Sequence, residues 1–259
     1  MAARRIPAIE RLLTIRPDAG REELAALIMC GDVLFEGETV RDPQAPVPVQ
    51  ARVTFKPQQF VGRGAIKLAR ALDEWTLDIG GKVFVDVGAS TGGFTDVLLR
   101  RGAAAVHAVD VGYNQLDYRL RSDPRVHVHE RTNIMHITQL DPRPDAAVAD
   151  LSFRSLAGAA RHALGMTAEQ WGVVLVKPQF EWEEPPPDFE GKVPEDAVAG
   201  VLIRTLSRLA AESVYAHACI ESPIRGRYGN REFLVLVRSR RPDVSPGEVA
   251  QAALTSLHE

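Results

Sequence analysis

The apolar positions of this chain change rhythm near residue 60. Before that point they come in short, unlike pieces. Ile6–Leu13 reads as a short helix, and Arg21–Met29 as a second with Leu24, Leu27 and Ile28 apolar. Cys30-Gly31-Asp32 is a helix stop, and Val33–Val40 reads as strand, turn at Gly37 and strand. Pro43, Pro46 and Pro48 then lead to a strand-like run, Ala51–Phe55. The expectation is a small α+β unit over residues 1–59, followed by a larger unit over 60–259.

From Val61 onward strand and helix alternate. Val83–Val87, Ala105–Val109, Arg125–His129, Ala146–Asp150 and Val173–Val176 are short apolar or alternating runs. Helical patterns lie at Phe94–Arg101, Gln115–Arg121, Leu156–Leu164 and Ala197–Glu212. Such alternation predicts an α/β fold, a largely parallel sheet with helices on both faces. Val214–Glu221 and Glu232–Arg238, around a Gly-rich loop, predict an antiparallel hairpin at the sheet edge and bring the strands to seven.

Composition narrows the classes. With 259 residues, 45% hydrophobic and 25% charged, the chain is neither disordered nor fibrous. Its formal charge of −3 weighs against a surface broadly built to clamp nucleic acid. Cys30 and Cys219 share no ligand-like spacing with any His, so neither a zinc site nor a disulfide framework is expected. No apolar stretch approaches the roughly 18 residues that span a bilayer, and the start lacks the apolar core of a signal peptide. A cytoplasmic protein with no membrane partner is expected.

The chemistry begins at Asp86-Val87-Gly88-Ala89-Ser90-Thr91-Gly92-Gly93-Phe94, between a strand and a helix. Glycines there let the backbone turn tightly and approach a ligand at the carboxyl edge of the sheet. The spacing is not Gly-x-Gly-x-x-Gly, nor does Gly-Lys-Ser/Thr follow, so a dinucleotide or nucleoside triphosphate fits poorly. The next strand ends in Asp110, 22 residues beyond Gly88, where a carboxylate can accept both hydroxyls of a ribose. Acid-x-Gly-x-Ser/Thr-x-x-Gly with that Asp suits S-adenosylmethionine, which carries a ribose and no phosphates. Asp86 has the alternative role of ordering the loop through its N–H groups. The bland alternative is a sharp strand-to-helix turn with an incidental Asp.

Four dispersed charges accompany the loop. Lys67 precedes the first strand of the larger unit, Asp150 ends the fourth, Lys177 ends the fifth and Glu232 opens the last. Ligands bind at the carboxyl ends of strands in open α/β sheets, so Asp150 and Lys177 point into the site. A lysine ending an apolar strand is costly unless paired or useful, and a neutral one can take the proton of an attacking hydroxyl. Each charge alone reads as a surface residue or a structural ion pair; the four together point to chemistry.

Arg63-Gly64-x-x-Lys67-Leu68, Gly88–Thr95, Asp110-Val111-Gly112-Tyr113, Glu130-Arg131-Thr132-Asn133, Asp150-Leu151-Ser152-Phe153, Lys177-Pro178-Gln179-Phe180-Glu181, Ser222-Pro223-Ile224 and Gly229-Asn230 closely resemble the TlyA (haemolysin A) family of FtsJ-like methyltransferases. The likeness keeps its order and spacing from about Phe60 to Arg238. It implies a Rossmann-like methyltransferase that methylates ribose 2′-hydroxyls of ribosomal RNA from S-adenosylmethionine. It places a Lys-Asp-Lys-Glu tetrad at Lys67, Asp150, Lys177 and Glu232, with Lys177 as base, Lys67 assisting and the acids orienting. Cofactor contacts are then expected at Asp86, Gly88, Ser90, Thr91, Gly93, Phe94, Asp110, Val111, Asn133, Asp150 and Leu151. Residues 1–59 resemble, less closely, the S-four-type RNA-binding module of that family, in Arg21–Val33 and the hairpin at Gly37.

Two departures bear on the acceptor. Residues 1–60 hold eight basic and eight acidic side chains, so that unit has no basic excess for phosphates. After Phe180, where the family has a Gly-rich basic segment, Glu181–Glu190 carries five acids and three consecutive prolines. Those acids would repel a polyanion, while Trp182 and Phe189 offer rings to stack on a base or to wall a smaller pocket. Arg63, Arg154, Arg225, Arg227 and Arg231 flank the tetrad as candidate phosphate contacts. Two alternatives follow: the same transfer to a small-molecule acceptor, and a non-catalytic RNA-binding factor.

Overall fold

The computed structural model describes residues 4–17, 19–30, 32–55, 60–152, 156 and 158–255, in two compact units, Met1–Gln59 and Phe60–Glu259. Gly31, Phe153 and Arg154, and the side chain of Arg227, lie outside what is described.

In the first unit Pro7 decides where the helix starts. The ring of Pro7 pushes the residue before it, Ile6, out of the helical region into extended backbone, so Arg5–Pro7 is a strand, β1, and the helix α1 is Ala8–Ile15. The helix expected from Ile6 is corrected accordingly. Helix α2 is Arg21–Cys30, and the hairpin is β2 (Val33–Phe35) and β3 (Glu38–Thr39). Its two turn residues, Glu36 and Gly37, both have positive φ (52° and 85°), the backbone hand that lets a two-residue turn match strand twist. The Pro-rich stretch holds an unforeseen strand, β4 (Pro46–Pro48), paired antiparallel with β1. β5 (Val53–Phe55) pairs with β2. Ile9, Leu12, Leu24, Ile28, Val33 and Phe35 form the buried centre of this unit.

The second unit opens with a helix that the sequence reading left out, α3 (Gly64–Glu74). Then come β6 (Val83–Val87), α4 (Gly93–Arg100), β7 (Ala105–Val109), α5 (Tyr118–Arg121), β8 (Val126–His129), β9 (Ala146–Ala149), α6 (Ala159–Met166) and β10 (Trp171–Val176). The chain continues through α7 (Pro178–Glu181), α8 (Glu195–Ala211), β11 (Tyr215–Glu221), β12 (Phe233–Arg238) and a terminal helix α9 (Pro246–Thr255), also unforeseen. The seven-stranded sheet runs β11-β12-β10-β9-β6-β7-β8. β6 to β10 are parallel, and β12 is antiparallel to both β10 and β11. This is the mostly parallel, Rossmann-like sheet, with the hairpin at its edge and β11 outermost.

Period-two alternation divides the strands between two cores. Phe233, Val235 and Val237 of β12 face the helices α6, α8 and α9, while Leu234 and Leu236 face α3 and α4. Phe84 meets Trp171 edge-on on the second face, with ring centroids 6.0 Å apart. The strand order reverses between β6 and β9, and in sheets of this kind ligands bind at such a point, outside the strands' carboxyl ends. No helix among the described residues is long and apolar enough to cross a membrane.

Candidate active site

Close backbone packing dictates the glycines after β6. Gly88 has φ +83°, and a Cβ there would lie 2.5 Å from the carbonyl oxygen of Asp150, so the loop rests on the end of β9. A Cβ on Gly93 would meet Ala65 N at 2.9 Å, which seats the start of α4 on the first turn of α3. Leu151 packs beside Gly88. Phe94 is buried in the core against Gly64, and Thr91 is exposed.

Asp110 holds this loop together. Its Oδ2 accepts from Ser90 N and its Oδ1 from Gly112 N, each at 2.7 Å. The loop-ordering role considered for Asp86 therefore belongs to Asp110, which remains half-buried at that end of the sheet. Asp86 lies beneath, fully buried. Its Oδ2 accepts from Thr95 Oγ1 at 2.7 Å, and its Oδ1 has no partner among the described residues. Burial, with Asp150 and Asp110 nearby, raises its pKa to about 7. Val111 is exposed beyond Asp110. Thr132 N donates to Asp110 O, and Asn133 caps the following turn by accepting from Met135 N at 3.0 Å, so residues 130–133 are tied to the same rim.

The four charges meet as two pairs. Lys67, in the first turns of α3, places Nζ 2.5 Å from Glu232 Oε2. Lys177 Nζ lies 2.5 Å from Asp150 Oδ1 and donates to Ser152 Oγ at 2.9 Å. The Lys177–Asp150 contact is close but lacks hydrogen-bond angles, so it is an ion pair. α3 connects the pairs: a Cβ on Gly64, three residues before Lys67, would lie 4.0 Å from Asp150 Oδ2. Lys67, Lys177 and Glu232 are buried, where an ammonium or carboxylate survives only beside its opposite.

The segment after Lys177 departs from expectation. Trp182 and Phe189 meet edge-on at 5.3 Å and pack against the α8 face of the core, each still partly exposed. Glu181 is buried; it accepts from Leu156 N at 2.8 Å and pairs with Arg208 of α8, which also pairs with Glu183. Glu184, Asp188 and Glu190 are exposed. Among the candidate phosphate contacts, Arg231 is engaged by Glu221 at 3.0 Å, and Arg225 lies 3.6 Å from Glu195 and Glu221. Arg63 is exposed. Sequence reasoning passed over Gly226 and gave Ser152 no role of its own; Arg131, within the segment the resemblance puts near the adenosine, stacks its guanidinium 3.9 Å from the Tyr113 ring centroid. The glycine content of residues 226–229 was the available signal for Gly226. Among the described residues no group of three or more His, Cys, Asp or Glu is placed to hold a metal.

Residues 60–239 match the FtsJ-like methyltransferase family. The chain is 39% identical over 227 residues to the 16S/23S rRNA (cytidine-2'-O)-methyltransferase TlyA of Mycobacterium tuberculosis, covering 85% of each. It is 36% identical over 220 residues to Hemolysin A of Brachyspira hyodysenteriae, covering 83% of this chain and 92% of the other. A solved chain from Streptococcus thermophilus, described as a hemolysin, superposes with a TM-score of 0.71 at 32% identity, over 99% of this chain and 98% of that one.

Proposed function

The chain belongs to the FtsJ-like methyltransferase family, and from that premise we propose that it moves a methyl group from S-adenosylmethionine to a ribose 2′-hydroxyl of ribosomal RNA. The observation that carries this reading is the meeting of two buried lysine–carboxylate pairs beside the Gly88–Gly93 loop. The M. tuberculosis relative, named for cytidine 2′-O-methylation of 16S and 23S rRNA, supports the acceptor.

The residues present fit the donor. Asp110 is held half-buried at the rim for the ribose hydroxyls, Val111 and Asn133 flank it, and Gly88 lets the loop rest directly on the end of β9 beside them. Asp86 Oδ1 is a buried acceptor that no described residue uses. When bound, the cofactor supplies a methyl on a sulfonium, an electrophile that needs no metal.

Lys177, in its neutral form, takes the proton of the 2′-hydroxyl as the ribose oxygen forms its bond to the methyl carbon and the sulfur–methyl bond breaks. The ammonium so formed is already paired with Asp150 and Ser152, so the new charge appears where its partners stand. Lys67, fixed by Glu232, orients the acceptor and adds positive field beside the attacking oxygen. Residues 1–59, which resemble an RNA-binding module, serve as the RNA-binding unit although their charges balance. Such an enzyme works in the cytoplasm, where its substrate is.

Purified ribosomal subunits, free rRNA and a small-molecule cell extract, each incubated with radiolabelled donor, test the reading. Label that survives alkaline hydrolysis as a 2′-O-methyl dinucleotide supports it. Label confined to the small-molecule arm replaces the acceptor.

A further inference from the structure

Asn230 lies two residues before Glu232 and is 2% exposed. Its amide takes part in a two-bond pairing with backbone far upstream: Nδ2 donates to Gly191 O at 2.8 Å, and Oδ1 accepts from Val193 N at 2.9 Å. The side chain thus stands in for a neighbouring strand, and needs a donor and an acceptor at once, which Asn has and ionised Asp lacks.

Its main chain is tied to the acid. Gly226 N donates to Asn230 O at 2.9 Å, closing the loop, and Ser222 N donates to Glu232 O at 2.8 Å. A Cβ on Gly226 would overlap the Glu232 carboxylate, so that carboxylate rests directly on the Gly226 α-carbon. On the other side of the chain Arg231 is drawn away to Glu221 and, at 3.4 Å, Glu195. Asn230 therefore holds both the floor under Glu232 and the peptide leading into it.

The far side of the pairing matters equally. Gly191–Val193 closes the arc that leaves Lys177 through α7, and Glu181 fixes the arc's beginning to Leu156 and Arg208. The strand ends that carry Lys177 and Glu232 already pair in the sheet, Val176 opposite Phe233, and Asn230 adds a second tie, from the approach to Glu232 to the arc beyond Lys177.

We propose that Asn230 is a positioning residue for methyl transfer: it acts through Glu232, holding that carboxylate on Lys67 by clamping Gly191 and Val193. The inference rests on the reading of Glu232 as part of the transfer machinery.

A double-mutant cycle tests it, with single-turnover transfer of labelled methyl to ribosomal RNA, cofactor Kd by calorimetry and the melting temperature of each variant. Asn230→Ala is expected to slow transfer about 10- to 100-fold, the scale of a small misplacement, while cofactor Kd stays within about twofold. In the Glu232→Gln background the same change is expected to cost less than about threefold, because the residue it acts through is already gone. Equal slowing in both backgrounds overturns the proposal, as does a wild-type rate in Asn230→Ala. Asn230→Asp supplies a second reading should the alanine variant fail to fold. Its rate is expected to fall at least about 10-fold below wild type at neutral pH, where an ionised carboxylate cannot donate to Gly191 O; a wild-type rate overturns the proposal. A wild-type rate in Glu232→Gln removes the tetrad reading itself, whereas a slow Glu232→Gln beside a fast Asn230→Ala removes this inference alone.

Discussion

Glu232 and Lys67 stand 165 positions apart in the chain and 2.5 Å apart in the fold, with side chains 3% and 11% exposed. An ion pair that deep recovers little more than the cost of taking both charges out of water. Lys177 and Asp150 make a second pair, with the lysine buried and the acid partly exposed. Two such pairs are poor devices for stability and good ones for fixing two lysine side chains at the same end of the sheet.

Lys177→Ala is expected to lower the single-turnover rate by at least about 100-fold, the usual contribution of a positioned base. Cofactor affinity should stay near wild type, because Lys177 holds Asp150 and Ser152 and not the Gly88–Gly93 loop. Rapid-quench kinetics beside calorimetry separate the two; a full rate in the variant rejects Lys177 as base.

Asp110→Ala is expected to do the reverse. The change removes the acceptor for Ser90 N and Gly112 N together, so the loop loses two charge-assisted bonds as well as its ribose contact. Cofactor Kd should rise about 10- to 100-fold, with the rate at saturating cofactor much less affected. Unchanged affinity on titration takes Asp110 out of the site.

The pH dependence of stability isolates Asp86. Below its ordinary pKa the carboxyl is neutral in folded and unfolded chains alike, and its burial carries no charge penalty. Between there and about 7 the unfolded chain ionises first, so the stability tied to the neutral form is lost as pH rises through that window. Asp86→Asn keeps an acceptor for Thr95 Oγ1 and escapes the penalty. Its stability gain over wild type should be absent near pH 4 and grow to a few kcal/mol, at most about 4, by pH 8. Urea unfolding at both pH values measures this; an equal gain at each excludes titration of Asp86 as its source.

Arg208→Ala is expected to destabilise the larger unit by about 3–5 kcal/mol, since it strips the cation from Glu181, whose side chain is 2% exposed. Arg208→Met with Glu181→Gln should recover most of the loss. Denaturant midpoints of the three proteins decide it, and a mild single variant means that Glu181 is well served without Arg208.

The parallel sheet and the placement of Asp150 and Lys177 were legible because strand ends in such sheets face one crevice, and the period-two runs mark those ends. Helix α3 was not, because Gly62 and Gly64 punctuate its start and disguise Lys67 as a loop residue. Charge counting misjudged Glu181, whose neutralising Arg208 comes from a helix 27 positions on. It likewise offered Arg231 to phosphate, although Glu221 on the adjoining strand holds it. Asn230 entered only as part of the Gly229-Asn230 likeness, without a role, for a related reason: its partners are backbone atoms of Gly191 and Val193, and backbone leaves no trace in a sequence pattern.

The arc between Glu181 and Val193 is anchored at both feet, while its crown, Glu184 to Asp188, is exposed. Anchorage of that kind separates inheritance of chemistry from inheritance of taste. Residues of the crown can be exchanged, lengthened or recharged among descendants of this scaffold without retuning the lysines, so the crown is where a library aimed at new acceptors belongs.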